Sequence, residues 1–185
     1  MRRFRFLPGK GLLFLMALAP MAFSQKYGVG RPATAPEITA RDYSISAKGT
    51  GLPPGGGTAK EGQELYVKYC STCHGLKGEG DAEQGNPAIA GGVGTLTSPK
   101  PIKTVGSYWP YAPGVFDYIR RAMPYDNPRT LKAGEYYSIT AYVLSLSGVV
   151  KADERLDATS LPQVKMPNRD GFVPDPRVTG KRPSY

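Results

Sequence analysis

Both cysteines and the only histidine of this 185-residue chain fall within five positions, as Cys70, Cys73 and His74 in "KYCSTCHGLKGEG". No other feature restricts the possible folds so sharply, because whatever these groups bind must have the rest of the chain arranged around it. Three chemistries use a Cys-x-x-Cys pair. A dithiol redox site follows a strand and opens a helix inside a βαβ pattern, and no such pattern surrounds residue 70. Structural zinc takes four ligands, whereas this chain offers three soft donors and no second cluster. In the third chemistry both thiols add to haem vinyl groups and the adjacent imidazole binds iron. On one helical turn two sulfurs and an imidazole can converge on one porphyrin edge and face, which accounts for the spacing. A disulfide between Cys70 and Cys73 would close a very short loop and restrain the unfolded chain little. The sequence therefore predicts one covalent haem c on Cys70, Cys73 and His74.

The other side of the iron needs its own donor. With no second histidine, bis-His ligation is excluded within the chain, and beyond residue 24 the only methionines are Met123 and Met166. Met123 precedes the last strong helical pattern and is the favoured axial ligand. Met166 follows that helix, in a Pro-containing stretch, and a packing role is the alternative for either residue. Methionine on iron raises the potential and leaves no vacancy for oxygen or peroxide. This points to electron transfer and away from catalysis. The rival is a haem enzyme or sensor with an open iron site.

The formal charge of +9 suggests nucleic acid only superficially. Arg2, Arg3, Arg5 and Lys10 stand in "MRRFRFLPGKGLLFLMALAPMAFSQ" without an acid, followed by an apolar run at 11–22 and small residues before Gln25. This is the pattern of a secretory signal peptide cleaved near Ser24. The run is too short to cross a ~30 Å hydrocarbon core, which needs roughly 20 residues. Export to the periplasm or beyond is expected, with no stable membrane span after processing. The remaining chain shows no basic-aromatic stripe, which argues against nucleic-acid binding.

Glycine (23) and proline (18) are abundant, so a modest core with long irregular flanks is expected. The reading is a signal peptide at 1–24, a Gly/Pro-rich arm at 25–58, a haem domain at 59–148 and an extended tail at 149–185. The pattern at 58–75 is helical, with Thr58 and Glu61 spaced as a capping box. Residues 76–110 show no period. A short helix is expected at 113–122 and the strongest one at 132–146. The tail is read either as disordered or as an arm that wraps its own domain or a partner.

These features together resemble a class I cytochrome c: an N-terminal helix carrying "GQELYVKYCSTCH", an Ω-like loop, a Met-Pro loop and a C-terminal helix. The resemblance implies an all-α fold, with extended N- and C-terminal arms here. It implies that Gly62 and Tyr66 cross the C-terminal helix near Tyr142, and that the Pro87 carbonyl accepts the second imidazole N–H of His74. A longer stretch, "KTVGSYWPYAPGVFDYIRRAMPYDNP" with "VKMPNRDGF", is similar to the haem c subunits that partner sulfur-oxidising molybdenum enzymes. These are the cytochrome subunit of Sox sulfane dehydrogenase and the cytochrome partners of sulfite dehydrogenases. Sulfane dehydrogenase cytochromes often carry two haem domains and this chain has one, which favours a sulfite dehydrogenase as electron donor and a downstream cytochrome c or terminal oxidase as acceptor. Tyr108, Trp109 and Tyr111 are expected to line the haem, with Arg120 near a propionate; core aromatics and a solvated cation are the plain alternative. Lys132 stands where the resemblance implies a Ser or Thr helix cap, so either Thr130 substitutes or the cap is lost.

Overall fold

The computed structural model describes residues 27–175. The signal-peptide segment, 1–24, lies outside them. The described residues fall into two units, the first ending at Arg41 and the second starting at Asp42. In the first, a single short helix, α1 (Ala35–Thr39), buries none of its residues. The Glu37 carboxylate accepts the Thr34 N–H and pairs with Arg31.

The second unit opens with a short strand, β1 (Gly56–Thr58), which runs directly into α2 (Ala59–Tyr69). The capping box expected from the sequence sets this start. Thr58 Oγ1 accepts the Glu61 N–H at 3.2 Å, and Glu61 Oε2 accepts the Thr58 N–H at 2.7 Å. Two of the orphan donors of a helix start are thereby satisfied. The helical run to residue 75 is broken once. Cys70 leaves helical geometry (φ −124°), and a separate turn, α3 (Ser71–His74), follows before Gly75 at φ +75°.

A four-residue helix, α4 (Val105–Tyr108), interrupts the stretch in which no period is visible. Its local signal is Thr104-x-x-Ser107. Thr104 N–H donates to Ser107 Oγ at 2.8 Å, and Ser107 N–H donates to Thr104 Oγ1 at 3.3 Å. Next comes α5 (Ala112–Ala122), with proline in its first turn, and then α6 (Ala133–Ser145). Lys132 is the N-cap of α6 and lacks an accepting side chain. Thr130 does not replace it, because its hydroxyl donates to the Asn127 carbonyl. Half of the cap survives through Glu135, whose carboxylate accepts the Lys132 N–H at 2.6 Å.

The core is built on the crossing of α2 and α6. Gly62 lies so close to the Ser138 carbonyl that a Cβ there would overlap backbone. One turn on, Tyr66 is fully buried and its ring meets Tyr142 at 5.0 Å. α5 adds Val115, Phe116 and Ile119, and Phe116 stacks at 4.5 Å from Tyr137. Side chains of this size stabilise by about 1.5–3 kcal/mol each when fully buried.

The helical architecture agrees with expectation, and a two-stranded antiparallel sheet is added to it. β2 (Arg155–Asp157) pairs with β1, Gly57 opposite Leu156. Of the two fates open for the tail, the structure takes the wrapped one through residue 172. Val150, Leu156, Leu161, Val164 and Met166 are all buried in the common core. The compact unit is thus wider on both sides than 59–148. Strand pairing and apolar anchors at wide spacing order segments whose Gly/Pro content suggested irregular flanks.

Candidate haem site

Local hydrogen bonding places the three ligand residues on one tight turn. The Cys70 N–H donates to the Tyr66 carbonyl at 2.8 Å, and the Cys70 carbonyl accepts from both Cys73 (3.2 Å) and His74 (2.9 Å). Both cysteines are free thiols, with Cys73 exposed and Cys70 half-buried. Burial, and then the neighbouring Cys73, push the Cys70 thiol up to about 11. A thiol held neutral at pH 7 is a poor redox thiolate, so Cys70 does not suit the attacking role in dithiol exchange. Among the described residues no group of three or more His, Cys, Asp or Glu side chains is arranged to hold a metal ion by itself.

The loop after His74 is clamped to it. Gly80 N–H donates to the His74 carbonyl at 2.8 Å, and the Tyr66 hydroxyl donates to the Gly75 carbonyl at 2.8 Å. Asp81 and Asn86 exchange backbone hydrogen bonds at 2.8 and 2.9 Å, closing a narrow bridge just before Pro87. Gly80 sits at φ +71°, with the backbone of residues 86–88 where a Cβ would be; only glycine allows that approach. The outcome is a fixed position for the Pro87 carbonyl, 3.1 Å from His74 Nδ1. A carbonyl can only accept, so the contact selects the tautomer protonated at Nδ1. It leaves the Nε2 lone pair free for a metal, with the ring orientation fixed from behind. This is the contact that the resemblance implies.

Met123 is the C-cap of α5, in extended conformation (φ −125°, ψ 147°), with its N–H bonded to Ile119. Its side chain is half-buried against the core. Met166 is 3% exposed and packs within the core. The donor set is therefore two free thiols, one imidazole with an available Nε2 and one half-buried thioether. That set suits haem c.

The segment 108–111 is covered by the tail. Asn168 donates to the Tyr108 carbonyl at 2.8 Å, and the Phe172 ring packs edge-on to Tyr108 at 5.2 Å. Lys103 lies 5.2 Å over Tyr108, Arg169 lies 4.5 Å over Tyr111, and Tyr118 meets Trp109 at 5.6 Å. Among the described residues the Tyr108 and Tyr111 hydroxyls and the Trp109 indole N–H have no hydrogen-bond partner, so all three donors are available to a bound anion. Arg120 has a different setting. It lines a cavity with Tyr43, Pro53, Arg121 and Arg129, and it makes none of the ring contacts of 108–111.

Several contributors were not legible in advance. The Tyr66 hydroxyl, Gly80, Asn168, Arg169 and Phe172 act through partners distant in sequence or through loop geometry. Only Gly80 had a local cue, the glycine-rich run that contains it.

The cytochrome c family model matches residues 59–147. Among solved structures, a chain of the sulfane dehydrogenase SoxCD from Paracoccus pantotrophus is 41% identical, with 86% of this chain and 81% of that chain covered and a TM-score of 0.74. No curated protein matches.

Proposed function

From the premise that this chain belongs to the cytochrome c family, we propose that it is a single-haem electron carrier serving a molybdenum enzyme that oxidises an inorganic sulfur compound. The family carries haem c covalently, and its work is electron transfer. When bound, the haem supplies a one-electron couple. The residues of this chain do the rest. Cys70 and Cys73 tether the group through thioethers, and His74 presents Nε2 while the Pro87 carbonyl holds its ring. Met123, half-buried against the core, would supply its thioether sulfur to the iron. Tyr108, Trp109 and Tyr111 offer their free N–H and O–H donors to the propionates. The apolar core behind them excludes water and so sets the potential.

The single observation that carries the pathway is the 41% identity to a SoxCD chain over most of both chains. It supports a donor of the sulfane dehydrogenase kind. A sulfite dehydrogenase is the second reading: the run "KTVGSYWPYAPGVFDYIRRAMPYDNP" is similar to the cytochromes of both enzymes, and the single haem motif favours this one. The acceptor is a downstream cytochrome or terminal oxidase. Export with cleavage near Ser24 fits this role, and no helix among the described residues is long and apolar enough to cross a membrane.

Stopped-flow reduction of the purified holoprotein tests the proposal. Each candidate molybdenum dehydrogenase is mixed with the cytochrome and its own sulfur substrate. Reduction much faster than by a generic reductant identifies the donor, and no acceleration with any of them removes the sulfur pathway. Amino-terminal sequencing of the exported protein checks cleavage.

A further inference from the structure

A cavity of about 480 Å³ lies between α5, the start of α6 and the chain segments near Tyr43 and Pro128. Its lining holds three arginines, Arg120, Arg121 and Arg129, and one acid, Asp117. Asp117 is committed to Arg121, whose Nη2 reaches both carboxylate oxygens at 2.7 Å. Arg120 and Arg129 have no ion-pair or hydrogen-bond partner among the described residues, so the cavity holds two positive charges without a direct acidic partner. Two further acids act on this region: Asp42 interacts with Arg121, and Asp157 acts with Arg120 on the Tyr137 hydroxyl. Asp157 makes no ion pair with Arg120. One of its oxygens already accepts the Thr159 and Ser160 N–H groups at 2.8 Å each.

The two free guanidiniums are held in place without an acid. Arg120 is half-buried in the last turn of α5. The Arg129 guanidinium lies 5.3 Å over the Tyr43 ring, a contact that commits none of its N–H donors to a hydrogen-bond acceptor. Arg129 is also the one non-glycine among the described residues with a left-handed backbone, φ +66°. Such conformations concentrate at ligand sites. Two planar cations with free forks facing one cavity match an oxyanion with two negative charges. At about 30 Å³ per water, the volume admits such an ion together with part of its hydration shell.

We propose that this cavity is a binding site for a dianionic oxyanion of the sulfate or phosphate type, held by Arg120 and Arg129 beneath Tyr43. The site does not depend on which enzyme reduces the cytochrome. It is tested by calorimetric titration of the holoprotein with sodium sulfate and, separately, with sodium hydrogen phosphate at low ionic strength, with sodium chloride at matched ionic strength as reference. The expected result is saturable one-to-one binding of the dianions and none of chloride. Arg120→Gln and Arg129→Gln each weaken it by about 10-fold or more, whereas Arg31→Gln, outside the cavity, binds as the parent does. Haem absorbance and thermal melting check the fold of each variant. If Arg120→Gln does not fold, the exposed Arg129 carries the test alone. Heats that follow ionic strength without saturating would overturn the proposal, as would undiminished binding by a folded Arg129→Gln protein.

Discussion

Replacing Gly62 with alanine probes the contact on which the site geometry depends. In an exposed helix the change stabilises, because alanine exceeds glycine by about 0.8–1.0 kcal/mol in helix propensity. Here the new Cβ would overlap the Ser138 carbonyl and stand 3.0 Å from the Ile139 nitrogen. Those atoms belong to the backbone of α6 and cannot rotate away as a side chain does. Overpacking of a core costs about 1–3 kcal/mol, and a clash against helix backbone belongs at the upper end. With the propensity gain subtracted, the net loss is about 2 kcal/mol. For a unit of this size that is roughly 3–4 °C per kcal/mol, so the midpoint of thermal unfolding should fall by about 6–8 °C. α2 leads into the turn that carries Cys70, Cys73 and His74, so the variant should also shift the reduction midpoint as α2 moves from α6. The assay is thermal melting of the holoprotein followed by circular dichroism, with potentiometric titration of the same sample. Because propensity and packing have opposite signs here, a Gly62→Ala protein that melts at or above the parent temperature would refute the close helix crossing.

Other outcomes follow from the same geometry. Tyr66→Phe removes the hydroxyl that donates to the Gly75 carbonyl and should cost about 1 kcal/mol; a variant as stable as the parent in urea would remove that bond from the account. Met166→Ala should cost about 2–5 kcal/mol as a core deletion while leaving the haem absorbance unchanged. Met123→Ala should alter the absorbance and lower the midpoint potential, and the two spectra read side by side decide which sulfur holds the iron. Glu61 and Asp157 are held below their ordinary values of 4.5 and 3.8 because their carboxylates accept N–H bonds from Thr58 and from Ser160 and Thr159 respectively. A folded value below the unfolded one gives stability that is present above pH 4.5 and is lost as pH falls further. Urea midpoints should therefore be flat from pH 6 to 5 and decline below 4.5, with a shallower decline for Glu61→Gln.

Read by itself, the sequence determined whatever is encoded within a few residues of itself. The haem-attachment turn is a five-residue constellation. The start of α2 is the pair Thr58 and Glu61, and α5 and α6 follow from period and terminal residues at the spans observed within one or two positions. The break at Cys70 and the short α4 lay beneath the resolution of a periodicity argument, since four residues make little more than one turn. Tertiary structure alone decided the remainder. β1 and β2 pair across about a hundred residues, and strands of three residues have no pattern to detect. The tail's Asn168, Arg169 and Phe172 settle on Tyr108 and Tyr111 because apolar anchors at Leu156, Leu161, Val164 and Met166 bring them there. Arg120 turns to the Tyr43 cavity, apart from the aromatics just upstream, because α5 presents its last turn on the face that the chain near residue 43 covers. Local hydrogen bonding is written in adjacent residues, whereas burial depends on which distant segments arrive to share it.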